Sequence, residues 1–316
     1  MKIISKQFAI VAAAILIASG VGAYAWRMEH RPHVLEIYAF SLASGRSYFI
    51  RTPNDKRILV DGGASSEVIR NITEILPFYS RRIDMIITTN SDSKNVGGLI
   101  DALGRYKVGE VIIPKFTAES LGLASSSDQI YSTFIDAVNE SGALVKEVSA
   151  GDLVVFDGGN VGDITAGYDI DTGSDKDDQA IASILFPVSP DLFQYSKTSA
   201  PEIIMRLTYG KNSFFFLNDA TVKIQKAVAF QGRALEKTNV LIVSTSALPA
   251  NLADELTGVI RPDYLVYSKN TNARSSASAK NKTTDPLYYL LDSKRFNIKE
   301  KGIVRIISNG SEVSIE

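Results

Sequence analysis

Cysteine is absent from the 316 residues, which excludes disulfides and thiolate chemistry. Histidine is nearly absent: there are two, His30 and His33, and both precede the first strand-like segment. The body of the chain therefore has no imidazole for a zinc site or a Ser/His/Asp set, and it shows no Gly-x-Ser-x-Gly elbow. A charge excess is also missing, since 34 basic residues face 35 acidic ones for a net charge of −1. No overall field attracts nucleic acid or an anionic membrane, so any such contact needs a local patch. No internal repeat of the kind tandem arrays require is found.

What is present suits a globular α/β protein: 45% of the residues are hydrophobic and 22% charged, in a length that fits one large domain. The first segment stands apart. Lys2 and Lys6 mark a short stub over residues 1–6, and "QFAIVAAAILIASGVGAYAW", residues 7–26, follows without a charge. That length suits a bilayer-spanning anchor with a cytoplasmic N-terminus. A cleaved signal peptide is the alternative, because Ala23-Tyr24-Ala25 before Trp26 has the small-x-small form of a cleavage site. Either reading places the rest of the chain on the extracytoplasmic side, membrane-bound or secreted. Residues 27–33 read as a linker whose two histidines are surface residues.

From Val34 onward the pattern alternates strands and helices. "VLEIYAF" reads as a strand, and "RSYFIRTPNDKRILVDGG" as a hairpin turning at Pro-Asn-Asp. Residues 65–79 place Val68, Ile69, Ile72, Ile75 and Leu76 at helical spacing after a serine cap. Then come the strand "RRIDMIITT", the helix "GGLIDALGRY", the strand "VGEVIIP" and a helix ending at Gly142. Residues 158–178, rich in Gly and Asp, read as an exposed insertion. Three strands, a helix and two further strands follow, and "KGIVRIISNGSEVSIE" closes the chain as a hairpin on an Asn-Gly turn.

The order of these segments resembles the metallo-β-lactamase-fold superfamily, and most of all the extracytoplasmic domain of DNA-uptake competence proteins. "YFIRTPNDKRILVDGG" from Tyr48 to Gly63 matches the family's opening hairpin. Thr89-Asn90-Ser91-Asp92-Ser93-Lys94-Asn95-Val96-Gly97-Gly98-Leu99 stands where the family has Thr-His, its ligand loop and Gly-Gly-Leu. Asn218-Asp219 falls on a Gly-Asp, Thr245-Ser246 on paired histidines, and Asp285-Pro286 on the His-Pro of some relatives. The resemblance covers residues 34–316. It implies an α/β (α+β) fold, an αββα sandwich of two facing sheets with helices outside, preceded by the transmembrane helix.

The chemistry of the superfamily is a hydroxide made on one or two metal ions held by a His-x-(His/Asp)-x-Asp-His loop and later His and Asp ligands. Here the corresponding positions carry Asn90, Asp92, Lys94, Asn95, Asp219, Thr245, Ser246 and Asp285, with no imidazole. An early Asp-Val-Gly-Gln-Gly-Asp signature has become Ser41 to Arg46. The backbone determinants Asp61, Gly62, Gly63, Gly97 and Gly98 remain. No zinc or other cofactor is expected. Lys94 is expected to reach Asp219 or Asp61 as an internal substitute for the metal.

Two further features carry weaker signals. Asp169, Asp171 and Asp175 alternate like a calcium loop but lack the glycine and the distal glutamate of an EF-hand, so a solvated acidic loop and a weak cation site are both open. Lys269, Arg274, Lys280 and Lys282 form a basic loop without aromatic residues, which supports nucleic-acid contact only weakly. The leading functional expectation is a catalytically inactive binding or scaffolding module with an unknown protein partner, linked to DNA uptake or the cell envelope. The alternatives are a phosphodiesterase or nuclease-type hydrolase with a sparse metal site at Asp92, Asp219 and Asp285, and an unrelated membrane-anchored α/β protein.

Overall fold

The computed structural model describes residues 12–20, 22, 33–77, 79–118, 120–122, 129–157, 164–166, 179–197, 200–230, 235–243, 252–268, 290 and 292–316. Met1–His33 and Val34–Glu316 are two compact units. In the first, residues 12–20 form helix α1, on which Ile15, Leu16 and Ile17 are exposed. Among the described residues no helix is long and apolar enough to cross a membrane. Positions 7–11, 21 and 23–26 of the expected anchor lie outside the described residues, as does His30.

The second unit begins with β1 (Leu35–Phe40), β2 (Tyr48–Arg51), β3 (Arg57–Val60), α2 (Glu67–Ile75), β4 (Arg82–Ile87), α3 (Ser93–Arg105), β5 (Lys107–Pro114), α4 (Gln129–Ser141) and β6 (Leu144–Val148). It continues with β7 (Asp152–Val155), β8 (Ile164–Ala166), β9 (Ile181–Phe186), β10 (Ile204–Tyr209), β11 (Asn212–Asn218), α5 (Val222–Phe230) and β12 (Val240–Val243). The last elements are α6 (Asp254–Ile260), β13 (Tyr264–Tyr267), β14 (Lys294–Asn297), α7 (Ile298–Lys301), β15 (Ile303–Ser308) and β16 (Val313–Ile315).

These strands make two eight-stranded sheets, in the orders β16-β15-β1-β2-β3-β4-β5-β6 and β14-β13-β12-β11-β10-β9-β7-β8. The terminal hairpin β15-β16 joins the first sheet beside β1, so the end of the chain completes the sheet that its beginning opened. Alternation of side chains decides what each face meets. On β3, Ile58 and Val60 enter the core between the sheets while Leu59 packs on the outer side with α2, α3 and α4. On β11, Phe214 and Phe216 point inward, and Phe215 and Leu217 meet α5 and α6. A strand buried on both faces reads as a continuous apolar run, which is why "FFFL" carries no alternation. Four layers result, helices outside and sheets within, as the segment order predicts.

Several local features differ from the sequence reading. Ser66 sits at the N-cap of α2 but makes no side-chain cap bond. Helix α3 starts four residues before the Gly-Gly pair, because the Asp92 carboxylate accepts from the Lys94 N–H and caps it there. Lys94 and Asn95 therefore belong to the first helical turn and not to a free loop. Ile164–Ala166, inside the expected insertion, is a strand that pairs with β7. The edge strand β6, the short β14 and helices α6 and α7 are additions with too little apolar periodicity to stand out.

Candidate functional site

Strand direction brings one end of both sheets together. β1 and β3 are each antiparallel to β2, and β3 is parallel to β4, so the chain leaves β1, β3 and β4 on the same side. In the second sheet β10 is antiparallel to β11, which puts the start of β10 beside the end of β11. The Ile203 N–H donates to the Thr89 carbonyl at 2.6 Å and ties the sheets together there. The Asn218 side-chain amide donates to the Ile203 carbonyl at 2.9 Å.

Two turns of unusual backbone aim the side chains. Asp61 at the end of β3 has φ 56° and Asn218 at the end of β11 has φ 57°, both in the left-handed region that few non-glycine residues enter. The loop from Ser41 to Ser47 folds over α3 so closely that a Cβ on Gly45 (φ +79°) would lie 1.7 Å from the Lys94 carbonyl oxygen. A Cβ on Gly98 would lie 2.1 Å from the Gly62 oxygen. The expected group Gly62, Gly63, Gly97 and Gly98 is thus the contact between the β3 exit and α3, and the Gly63 N–H also donates to the Arg46 carbonyl at 2.9 Å.

That loop drops Arg46 between the sheets, with 3% of its surface left exposed. Its Nε donates to Asp61 Oδ2 at 2.8 Å, one terminal nitrogen to Asp219 Oδ2 at 3.0 Å, and the other to Thr89 Oγ1 at 2.6 Å and Glu202 Oε2 at 3.4 Å. Thr89 in turn donates its hydroxyl to Asp61 Oδ2 at 2.7 Å and its N–H to Asp61 Oδ1 at 2.8 Å. A guanidinium suits this place because its planar fork offers several donors in fixed directions and stays charged when buried.

Three carboxylates around one guanidinium leave the cage short of positive charge. Burial drives the Glu202 carboxyl up to about 8, outweighing the attraction of Arg46, and Asp219 and Asp61 push in the same direction. Burial also raises Asp61, against the pull of Arg46 and the Thr89 hydrogen bonds. For Arg46, burial acts to lower the pKa, yet Asp61, Glu202 and Asp219 together take it above its ordinary value.

Above the cage lies the loop that the sequence singled out. The Asn95 amide donates to Asn90 Oδ1 at 2.9 Å, and the Asp92 N–H donates to the same oxygen at 3.1 Å. Lys94 Nζ is 3.3 Å from Asp92 and 4.0 Å from Asp219, with 46% of its side chain exposed. The expectation of reach to Asp219 is met at the outer limit of an ion pair, but Asp61 is held by Arg46. The interior cation is therefore Arg46 and not Lys94. Arg46 figured in the sequence only as the last residue of a lost signature, Thr89 only as the threonine before the ligand loop, and Glu202 was not singled out at all. The signal available was a charge at the head of an apolar run, plain for Glu202 directly before "IIM" and blurred for Arg46, which Ser47 separates from "YFI".

Thr245, Ser246 and Asp285 lie outside the described residues, as do Asp169, Asp171 and Asp175 and the basic loop from Lys269 to Lys282. A zinc or di-metal centre, which the resemblance implies, does not fit the residues that are described. A guanidinium with four partners stands among the strand-end carboxylates, Asp92 is engaged as a helix cap and with Lys94, and Asn90 is engaged with Asn95. Among the described residues no group of three or more His, Cys, Asp or Glu is placed to hold a metal ion.

No family model matches the chain, and no curated protein does. Solved structures similar to it include the diiron β-hydroxylase CmlA from Streptomyces venezuelae, 16% identical, covering 74% of this chain and 44% of that one with a TM-score of 0.45. They also include the metallo-β-lactamase-fold protein YhfI from Bacillus subtilis, 13% identical over 74% of this chain and 85% of that one, with a TM-score of 0.41. A long form RNase Z from yeast is 12% identical over 82% of this chain and 40% of that one, with a TM-score of 0.45. This chain spans less than half the length of CmlA and of the yeast RNase Z. Among its structural neighbours are thus metallo-β-lactamase-fold proteins, and at these identities the likeness is one of backbone arrangement.

Proposed function

We propose that this chain is an exported, membrane-anchored module of metallo-β-lactamase-like architecture that binds or scaffolds a protein partner and does not hydrolyse a substrate. One observation carries the reading: among the described residues at the mouth, Asn90 and Asn95 are hydrogen-bonded to each other and Asp92 is taken up by the α3 cap and Lys94, so these ligand positions carry no imidazole and their one carboxylate is paired. Hydrolysis in this setting needs a polarised water or an activated side chain, and neither can be built from an amide pair and a capped helix start. Export rests on the charge-free run of residues 7–26 behind Lys2 and Lys6. A place beside DNA-uptake or envelope proteins rests on the sequence resemblance over residues 34–316.

The test is to purify the full-length chain from membranes after mild cross-linking and identify by mass spectrometry what accompanies it. The same preparation is assayed on a phosphodiester substrate with zinc or manganese supplied. A reproducible envelope or uptake partner without turnover is the expected result. Metal-dependent cleavage that Asp219→Ala abolishes would establish the hydrolase reading instead.

A further inference from the structure

We infer that Arg46 is a built-in replacement for a metal ion, a cation tethered covalently at the point where the two sheets must share carboxylates. Asp61 comes from the first sheet, Glu202 and Asp219 from the second, and Arg46 reaches all three at 2.8, 3.4 and 3.0 Å with Thr89 as a fourth partner. Arg46 and Asp61 are almost wholly buried, with side chains 2% and 0% exposed. Buried carboxylates facing one another across a sheet interface repel, and without a cation they must protonate or move apart. A bound dication answers that need elsewhere and makes folding depend on metal supply. An arginine answers it within the chain, so this fold holds together in any metal concentration.

Geometry separates this role from ordinary packing. Arg46 is the only described group that joins Asp61 to both Glu202 and Asp219. Lys94 lies outside the cage, within reach of Asp219 alone among the three. Gly45 is required next to it, since any side chain there would collide with the Lys94 carbonyl and lift the loop that carries the guanidinium. The loop is thus shaped to deliver one cation to one place.

The experiment uses the full chain in detergent and reads its melting temperature. Wild-type protein is melted with chelator, and with added zinc, manganese or calcium; the expected result is no change in any arm. A transition that chelator lowers and zinc restores overturns the inference. Arg46→Met keeps the unbranched apolar stem but removes the guanidinium with its charge and donors, and is expected to lower the melting temperature strongly or to prevent folding. The triple variant Arg46→Met, Asp61→Asn, Glu202→Gln is expected to recover part of the loss, because the surplus negative charge is gone. An Arg46→Met protein that melts with wild type, or a triple variant no better than Arg46→Met, overturns the inference. These readouts are independent of partner capture and hydrolysis, so the inference and the proposed function stand or fall separately.

Discussion

Glu202→Gln gives the sharpest test of the charge arrangement, because it removes the titration of one buried carboxyl while keeping its shape and an oxygen towards Arg46. The native carboxyl titrates near 8 because burial raises it, against 4.5 for the free group. Between these values the folded protein holds a proton that the unfolded chain has released, so stability falls as pH rises. The contribution is full below the unfolded value and is lost as pH passes through the folded one. Each pH unit in that window is worth about 1.4 kcal/mol, which sets a ceiling of about 5 kcal/mol. Glutamine does not titrate, so the variant escapes this part of the loss. Urea unfolding followed by circular dichroism at intervals from pH 5 to 8.5 should show the two proteins close together at the acid end. Towards pH 8 the variant should lead by about 2–5 kcal/mol. Taking the difference between the proteins at each pH cancels the shared groups outside the cage and leaves Glu202 with the partners it is coupled to, Arg46, Asp61 and Asp219. A difference that stays constant across the range would refute the reasoning, since Glu202 would then carry the same charge folded and unfolded.

Lys94→Ala should shift stability by less than about 1 kcal/mol in urea melts at neutral pH, because its ion pairs with Asp92 and Asp219 are half-exposed. Gly98→Ala should cost about 3 kcal/mol or yield insoluble protein, since the new methyl group meets the Gly62 carbonyl and backbone on both sides is fixed. Gly104→Ala, six residues along the same helix with nothing within 4 Å, should instead raise the melting temperature, with a gain of up to about 1 kcal/mol from helix propensity.

The layers were legible because burial leaves a direct mark on composition. "ILV", "MII" and "FFFL" are runs that only a sheet covered on both faces can hide, and α2 and α3 show their buried stripe at helical spacing. The Gly-Gly pair was legible as well, since nothing larger fits between α3 and the β3 exit. Arg46 was not legible, for a physical reason. An arginine in a Ser-Gly loop reads as solvated, and only closure of the sandwich brings positions 46, 61, 202 and 219 into contact. Lys94 attracted notice because it occupies a ligand position in the chain, yet the Asp92 cap sets it in the first turn of α3, where its half-exposed ammonium pairs with Asp92. Membership of a motif and membership of a cage are set by different things, one by local order and the other by tertiary contact.

The left-handed turns at Asp61 and Asn218 carry a consequence for redesign. Both sit directly at strand ends, Asp61 beside the glycine crossing of α3 and Asn218 at the close of β11, so the main chain there is set by the sheets and does not depend on the side chains of the loop at residues 90–95. A library randomised at positions 90, 94 and 95, with Arg46 and its carboxylates kept, would inherit strand ends already bent towards a common centre. Selection on such a library would explore chemistry on a chassis whose hinges are set, where a new fold would have to find those angles first.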